Sequence, residues 1–126
     1  YNLVDYDGNG DDQEGVYAEI MSMRDSLWAA AQQYATDTVG TSIAYNNAAY
    51  PYFFIDTNGN GEADPDEVNS DNAFKAWTPR LLRAAYNYQY SGKDPGAYTH
   101  NPQYIIQVLY DGIEDLGGDV SGMTRP

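Results

Sequence analysis

Apolar residues return along the first third of the chain at alternating steps of four and three: Val16, Ile20, Met23, Leu27, Ala30 or Ala31, and Tyr34. That spacing keeps about one side chain per turn on a common face, so it predicts an amphipathic helix over about 12–38, stopped near Gly40. Glu19, Arg24, Asp25, Gln32 and Gln33 fall on the other face, and the stripe has the form of a core surface. Thr78-Pro79 combines an N-cap with a proline at the first helical position and opens a second helix over 79–90. Its packing candidates are Leu81, Leu82, Ala85, Tyr86 and Tyr88, and Ser91-Gly92 is its stop. Asp94-Pro95-Gly96 reads as a turn, after which Asn101-Pro102 opens a third helix over 102–116. Ile105, Ile106, Leu109 and Ile113 share one face there, and Gly117-Gly118 supplies the stop. Ser42 to Tyr45 is a short strand candidate, and Tyr52 to Ile55 is extended because Pro51 opposes a helix before it. The expectation is a mainly α single domain over 1–126. Its three principal helices pack together, with the last two as a hairpin and with little or no sheet.

Between the extended stretch and the second helix lies Asp56-Thr57-Asn58-Gly59-Asn60-Gly61-Glu62-Ala63-Asp64-Pro65-Asp66-Glu67. It reads as a twelve-residue calcium loop of the EF-hand type. Asp56, Asn58 and Asn60 fill positions 1, 3 and 5, Glu62 offers its carbonyl at 7, and Asp64 and Glu67 fill 9 and 12. Calcium takes six to eight oxygens, and alternate residues of a tightly curled loop point inward to supply them. Gly61 stands at position 6, where the chain turns sharply. The same residues also suit a plain turn followed by a helix start. Asp64 is then the N-cap, Pro65 the first helical residue and Glu67 the capping-box partner of a short helix to about Ser70. The two readings are compatible.

Asp5-Tyr6-Asp7-Gly8-Asn9-Gly10-Asp11 repeats the opening of that loop near the N-terminus. Asp5, Asp7, Asn9 and Asp11 are the matching candidate ligands, but position 12 falls on Val16, which cannot coordinate. A shortened loop closed by Glu14 is the natural alternative, against an acidic turn whose Asp11 or Asp12 caps the first helix.

Composition narrows the function. Nineteen acids against six bases give a formal charge of −13, which argues against nucleic acid or an anionic membrane as partner and suits carboxylates neutralised by divalent cations. The chain has no Cys, which excludes disulfides, thiolate zinc sites, cysteine catalysis and covalent c-type haem attachment within it. No apolar run is long enough to span a bilayer, so membrane insertion is not expected. His100 is the only histidine and sits in a turn before Asn101, where hydrogen bonding across that turn is its expected use. The best-patterned carboxylates are committed to loops or caps, and no phosphate-binding glycine loop is present, so an enzyme is not expected. Thirteen Tyr, beside two Trp and three Phe, favour contact surfaces with a polar tip. A loop with two Asn ligands works where calcium is abundant, which favours an extracellular, cell-surface or periplasmic setting. The start at Tyr1 suggests a segment cut from something longer.

Leu81 to Tyr90, Lys93-Asp94-Pro95-Gly96-Ala97-Tyr98, His100-Asn101-Pro102 and Leu109-Tyr110-Asp111 resemble a C-terminal region attached to multihaem c-type cytochromes of anaerobic bacteria and archaea. Tyr50-Pro51-Tyr52-Phe53-Phe54 with the following loop resembles the same region, so the likeness covers about two thirds of the chain from Tyr50 onward. It implies an extracytoplasmic, calcium-stabilised helical module, here without any Cys-x-x-Cys-His. The expected function is a non-catalytic calcium-binding structural or interaction module with two calcium loops, self-assembling as a homo-oligomer or surface homopolymer. The alternatives are an accessory domain docking beside multihaem cytochrome domains, and a carbohydrate-binding module with Trp77 as its exposed platform.

Overall fold

The computed structural model of the chain describes residues 6–8, 15–93 and 102–126. Helix α1 runs Val16–Tyr34 and widens at its exit into a π-helical turn, Ala35–Val39, whose i→i+5 bond joins the Gly40 N–H to Ala35 O at 2.8 Å. It starts later than the expected residue 12, because Gly15 in extended conformation is its N-cap. Strands β1 (Ile43–Tyr45) and β2 (Phe53–Ile55) form an antiparallel hairpin with Ile43 opposite Ile55 and Tyr45 opposite Phe53. Helix α2 spans Pro79–Lys93 and α3 spans Pro102–Asp115. Both starts agree with the proline signals, and the Thr78 hydroxyl accepts the Leu81 N–H at 3.1 Å as a capping side chain. The mainly helical expectation therefore holds, with one small two-stranded sheet.

The α1 stripe is core: Ile20, Met23, Leu27, Ala31 and Ala35 are buried. They meet Leu81, Ala84 and Ala85 of α2 and Ile105, Ile106, Leu109 and Ile113 of α3, so the three helices enclose one cluster. Aromatic rings continue that cluster toward the hairpin. Trp28 stacks on Tyr88 at 4.8 Å and meets Phe53 at 5.8 Å, and Phe53 meets Trp77 edge-on at 5.4 Å.

Three expectations are corrected. No short helix follows the loop: residues 65–67 make a turn, and a 3₁₀ turn, Ser70–Asn72, comes next. Asn72 explains this, since its side-chain amide donates to the carbonyls of Ile55 and Glu67, both at 2.9 Å, and ties the segment back onto β2. Helix α2 continues past Tyr90 to Lys93, because the Ser91 hydroxyl folds back onto the Tyr88 carbonyl at 3.0 Å and accepts Arg24 Nε at 3.0 Å. Leu82 and Tyr86, expected to pack, are exposed, while their neighbours Leu81 and Ala85 are buried. The turn at 94–96, His100 and Asn101 lie outside the described residues.

Candidate metal centre

The loop 56–67 begins where the hairpin ends, as the Asp56 N–H donates to Ser42 O at 3.0 Å. Asp56 is buried, and its carboxylate pulls the following chain into a curl. Oδ1 accepts the Gly59 N–H at 3.2 Å and Oδ2 accepts the Gly61 N–H at 2.7 Å. Gly61 at φ +83° adopts the left-handed turn that its position demands. Its carbonyl accepts the Gln32 amide at 2.8 Å, and that amide also donates to Ile43 O at 3.2 Å, linking loop, strand and α1.

Inside the curl, Asn58 Oδ1 accepts the Asn60 N–H at 3.1 Å and Asn60 Oδ1 accepts the Glu62 N–H at 2.9 Å. These side-chain-to-backbone bonds are successive Asx turns that keep the loop curled. The amide nitrogens of Asn58 and Asn60 both donate to Asp64 Oδ2, at 2.6 and 2.9 Å, so three expected ligands converge. Glu67, 1% exposed, closes the loop. Its Oε2 accepts the Thr57 N–H at 2.6 Å and the Thr57 hydroxyl at 2.8 Å, and its Oε1 accepts the Asp64 N–H at 2.8 Å. The last contact is half of the expected capping box. The Asp64 N–H bond, with smaller contributions from Thr57 and Asn58, holds the Glu67 carboxyl below its usual range despite burial.

Asp64, Asp66 and Glu67 bring carboxylate oxygens within 4.8 Å of one another. Asp66 was not among the expected ligands; Asp56 stands outside that group, turned to its two glycine N–H groups. The three converging carboxylates offer oxygen, the donor type of a hard cation such as calcium, while Asn58 and Asn60 turn their amide nitrogens to Asp64. A carboxylate has about four lone-pair sites, so the oxygens that accept one hydrogen bond keep capacity for an ion. The carboxylates of Asp64, Asp66 and Glu67 therefore suit a hard cation by donor type, while Asp56, Asn58 and Asn60 are engaged in the hydrogen bonds of the turn.

Of the N-terminal candidates, Asp7 lies among the described residues, and Asp5, Asn9, Asp11 and Glu14 lie outside them. Asp7 is buried, and its N–H donates at 2.8 Å to Oε2 of Glu19, which is fully buried in the first turn of α1. Glu67 Oε2 makes the matching, longer contact to the Asn58 N–H at 3.4 Å, and Asn58 is the third residue of its loop as Asp7 is of the other. Glu19 was missed as a site residue, although it lies three residues from Val16 and four from Met23, inside the apolar stripe.

The chain is similar to segments of polyhaem cytochromes. It is 39% identical over 83 residues to the C-type polyheme cytochrome OmcB of Geobacter sulfurreducens, a match covering 60% of this chain and 11% of the relative. It is 38% identical over 109 residues to the C-type polyheme cytochrome OmcC of the same organism, covering 80% of this chain and 14% of the relative. The chain thus spans less than a sixth of the length of these curated relatives. No family model matches it, and no solved structure matches it.

Other features of the surface are chemically plainer. A groove of about 460 Å³ between α2 and α3 is lined by Arg80, Arg83, Asp111 and Asp115 around Ala84 and Val108. Its ion pairs, Arg80–Asp115 at 3.3 Å and Arg83–Asp115 at 3.6 Å, are solvent-exposed and each contribute about 0–1 kcal/mol. Both indoles are half-buried and packed against other rings, so Trp77 does not stand out as a stacking platform. Among the described residues, no helix is long and apolar enough to cross a membrane.

Proposed function

We propose that this chain is a non-catalytic, calcium-clamped structural module of the polyhaem-cytochrome type, working outside the cytoplasm beside haem-bearing domains. The observation that carries the reading is its similarity to polyhaem cytochromes in a chain with no cysteine. The module keeps the protein scaffold of such a region and none of the thiols that attach a c-type haem. Calcium at 56–67 joins the end of β2 to the start of the helical half, held by Asp56, Asn58, Asn60, the Glu62 carbonyl, Asp64 and Glu67. A second ion near the N-terminus involves Asp7 and, in place of Glu14, Glu19. Neutral Asn ligands give a weak site, suited to compartments where calcium is plentiful.

Calorimetry tests the metal. An ion that binds only the folded form stabilises it by about 2.7 kcal/mol when free calcium is a hundredfold above Kd. Calcium is expected to raise the thermal midpoint of the wild type relative to chelator and to leave Glu67→Gln nearly unmoved. An identical wild-type midpoint in calcium and chelator would remove calcium from the reading. The parent reading frame tests the setting, since an accessory domain predicts Cys-x-x-Cys-His motifs in the same precursor. Self-association is the second reading, favoured by the exposure of Tyr50, Tyr86 and Tyr104. Sedimentation showing a strict monomer in calcium would count against it.

A further inference from the structure

The loop contains two consecutive Asn-Gly pairs, Asn58-Gly59 and Asn60-Gly61, and all four residues are exposed. Asn-Gly is the dipeptide most open to spontaneous deamidation, because glycine places no side chain beside the attacking nitrogen. The glycine main-chain nitrogen attacks the asparagine Cγ, the Cγ–Nδ2 bond breaks, and the displaced nitrogen leaves as ammonia with the glycine proton. Water then opens the resulting five-membered imide to Asp or to its β-linked isomer. One water enters, one ammonia leaves, and no oxidant or reductant is involved.

We propose that Asn58 and Asn60 are modification sites of this kind, and that the Asp56 carboxylate is the gate that slows their conversion in the folded chain. Both attacking nitrogens belong to N–H groups that donate to this one carboxylate, Gly59 at 3.2 Å and Gly61 at 2.7 Å. An N–H bonded to an anion is held in place and is harder to deprotonate, and the attack needs it free and deprotonated. The leaving amides meet a different carboxylate, Asp64 Oδ2, at 2.6 and 2.9 Å, which leaves the attacking nitrogens untouched and is not part of the gate. The shorter bond at Gly61 orders the two sites, so Asn58 converts before Asn60.

Conversion also changes the loop chemically. At Asn58 an amide donor to Asp64 becomes a carboxylate facing a carboxylate, and the loop gains a charged ligand at its third position. That consequence rests on the calcium reading: conversion to Asp adds ligand charge and tightens calcium binding, whereas the β-linked isomer lengthens the main chain and spoils the ligand spacing. The gate itself does not rest on it.

Peptide mass mapping of aged protein tests the gate, with circular dichroism to confirm the fold. Native wild type is expected to convert slowly, with Asn58 ahead of Asn60, and urea-unfolded wild type quickly. Asp56→Asn keeps the shape and removes the charge, and should convert both sites about tenfold faster than wild type, the difference between a charged and a neutral acceptor. Asp64→Asn leaves the gate in place and should stay within about twofold of wild type, which keeps the test decisive if Asp56→Asn does not fold. Equal rates in native and unfolded wild type, a folded Asp56→Asn no faster than wild type, or Asp64→Asn as fast as the unfolded chain overturns the proposal. Added calcium should slow conversion further. Rates that depend on Asp56 but ignore calcium would overturn the calcium reading and leave the gate standing.

Discussion

Two stretches of this chain open with nearly the same residues, and their third residues meet carboxylates from different places. The loop at 56–67 takes its closing carboxylate from its own end, since Glu67 accepts the N–H groups of Thr57 and Asp64 within ten residues. The N-terminal loop meets a carboxylate of the next helix, as Asp7 donates to Glu19 in the first turn of α1. The first loop is therefore complete as a local unit, and it is attached to the body through Gln32 and Asn72. The second exists as a junction of distant parts. Tyr6 O accepts the Thr124 N–H at 3.1 Å, and Gly8 approaches Gly122 so closely that a Cβ would lie 2.4 Å from the Gly122 oxygen. A common opening signature thus serves a self-contained clamp in one place and a three-way seam in the other.

Removing the local closure should have the largest effect. Glu67→Ala removes a buried carboxylate, leaves the part-buried Thr57 and Asp64 N–H groups without their acceptor, and should cost about 2–4 kcal/mol in urea unfolding. Hydrogen exchange should rise across 56–72 while the start of α1 stays protected; a rise confined to α1 would show that the loop is not a unit. The same carboxylate sets an acid limb. Its pKa is lowered in the folded chain, so its stabilisation is present above the usual carboxylate range and is lost as pH falls through that range toward the depressed value. In chelator, wild type should lose more stability on acidification than Glu67→Gln, and parallel curves would contradict this.

Breaking the seam comes next. Gly8→Ala adds a side chain at φ +74° against the backbone of Gly122 and should cost about 2 kcal/mol. Its exchange signature should appear at the start of α1 and leave 56–67 protected, the mirror image of Glu67→Ala. The smallest effect is expected at the attachment of the local loop. Gln32→Ala removes one amide bridging Gly61 and Ile43 carbonyls and should cost about 1 kcal/mol, with hydrogen exchange inside 56–67 nearly unchanged. Exchange across that loop as fast as in Glu67→Ala would mean that α1 shapes the loop as it does the seam.

This contrast explains what could be read in advance. The pattern at 56–67 was legible because its bonds run between residues a few positions apart, and side-chain type alone predicts them. Pro79, Pro102 and the stop near Gly40 were legible for the same reason. Glu19 and Arg24 were assigned to the polar face of α1, yet both are buried. Glu19 meets Asp7 across the seam. Arg24 reaches Ser91 Oγ and Tyr88 O at the end of α2 and lies over the Tyr88 ring at 4.3 Å. Leu82 and Tyr86 failed in the opposite sense, because apolar type does not say which side of α2 faces α1.

By itself, then, the amino-acid sequence determined the three helices, the extended stretch ahead of Asp56 and the curl of the loop, all of them products of short-range spacing, capping and turn chemistry. Tertiary structure alone decided that no helix leaves the loop, that Glu19 of α1 meets the Asp7 N–H, and that Arg24 secures the end of α2. Those outcomes turn on contacts such as Arg24 to Ser91, 67 residues apart, whose partners are chosen by the packing of whole helices.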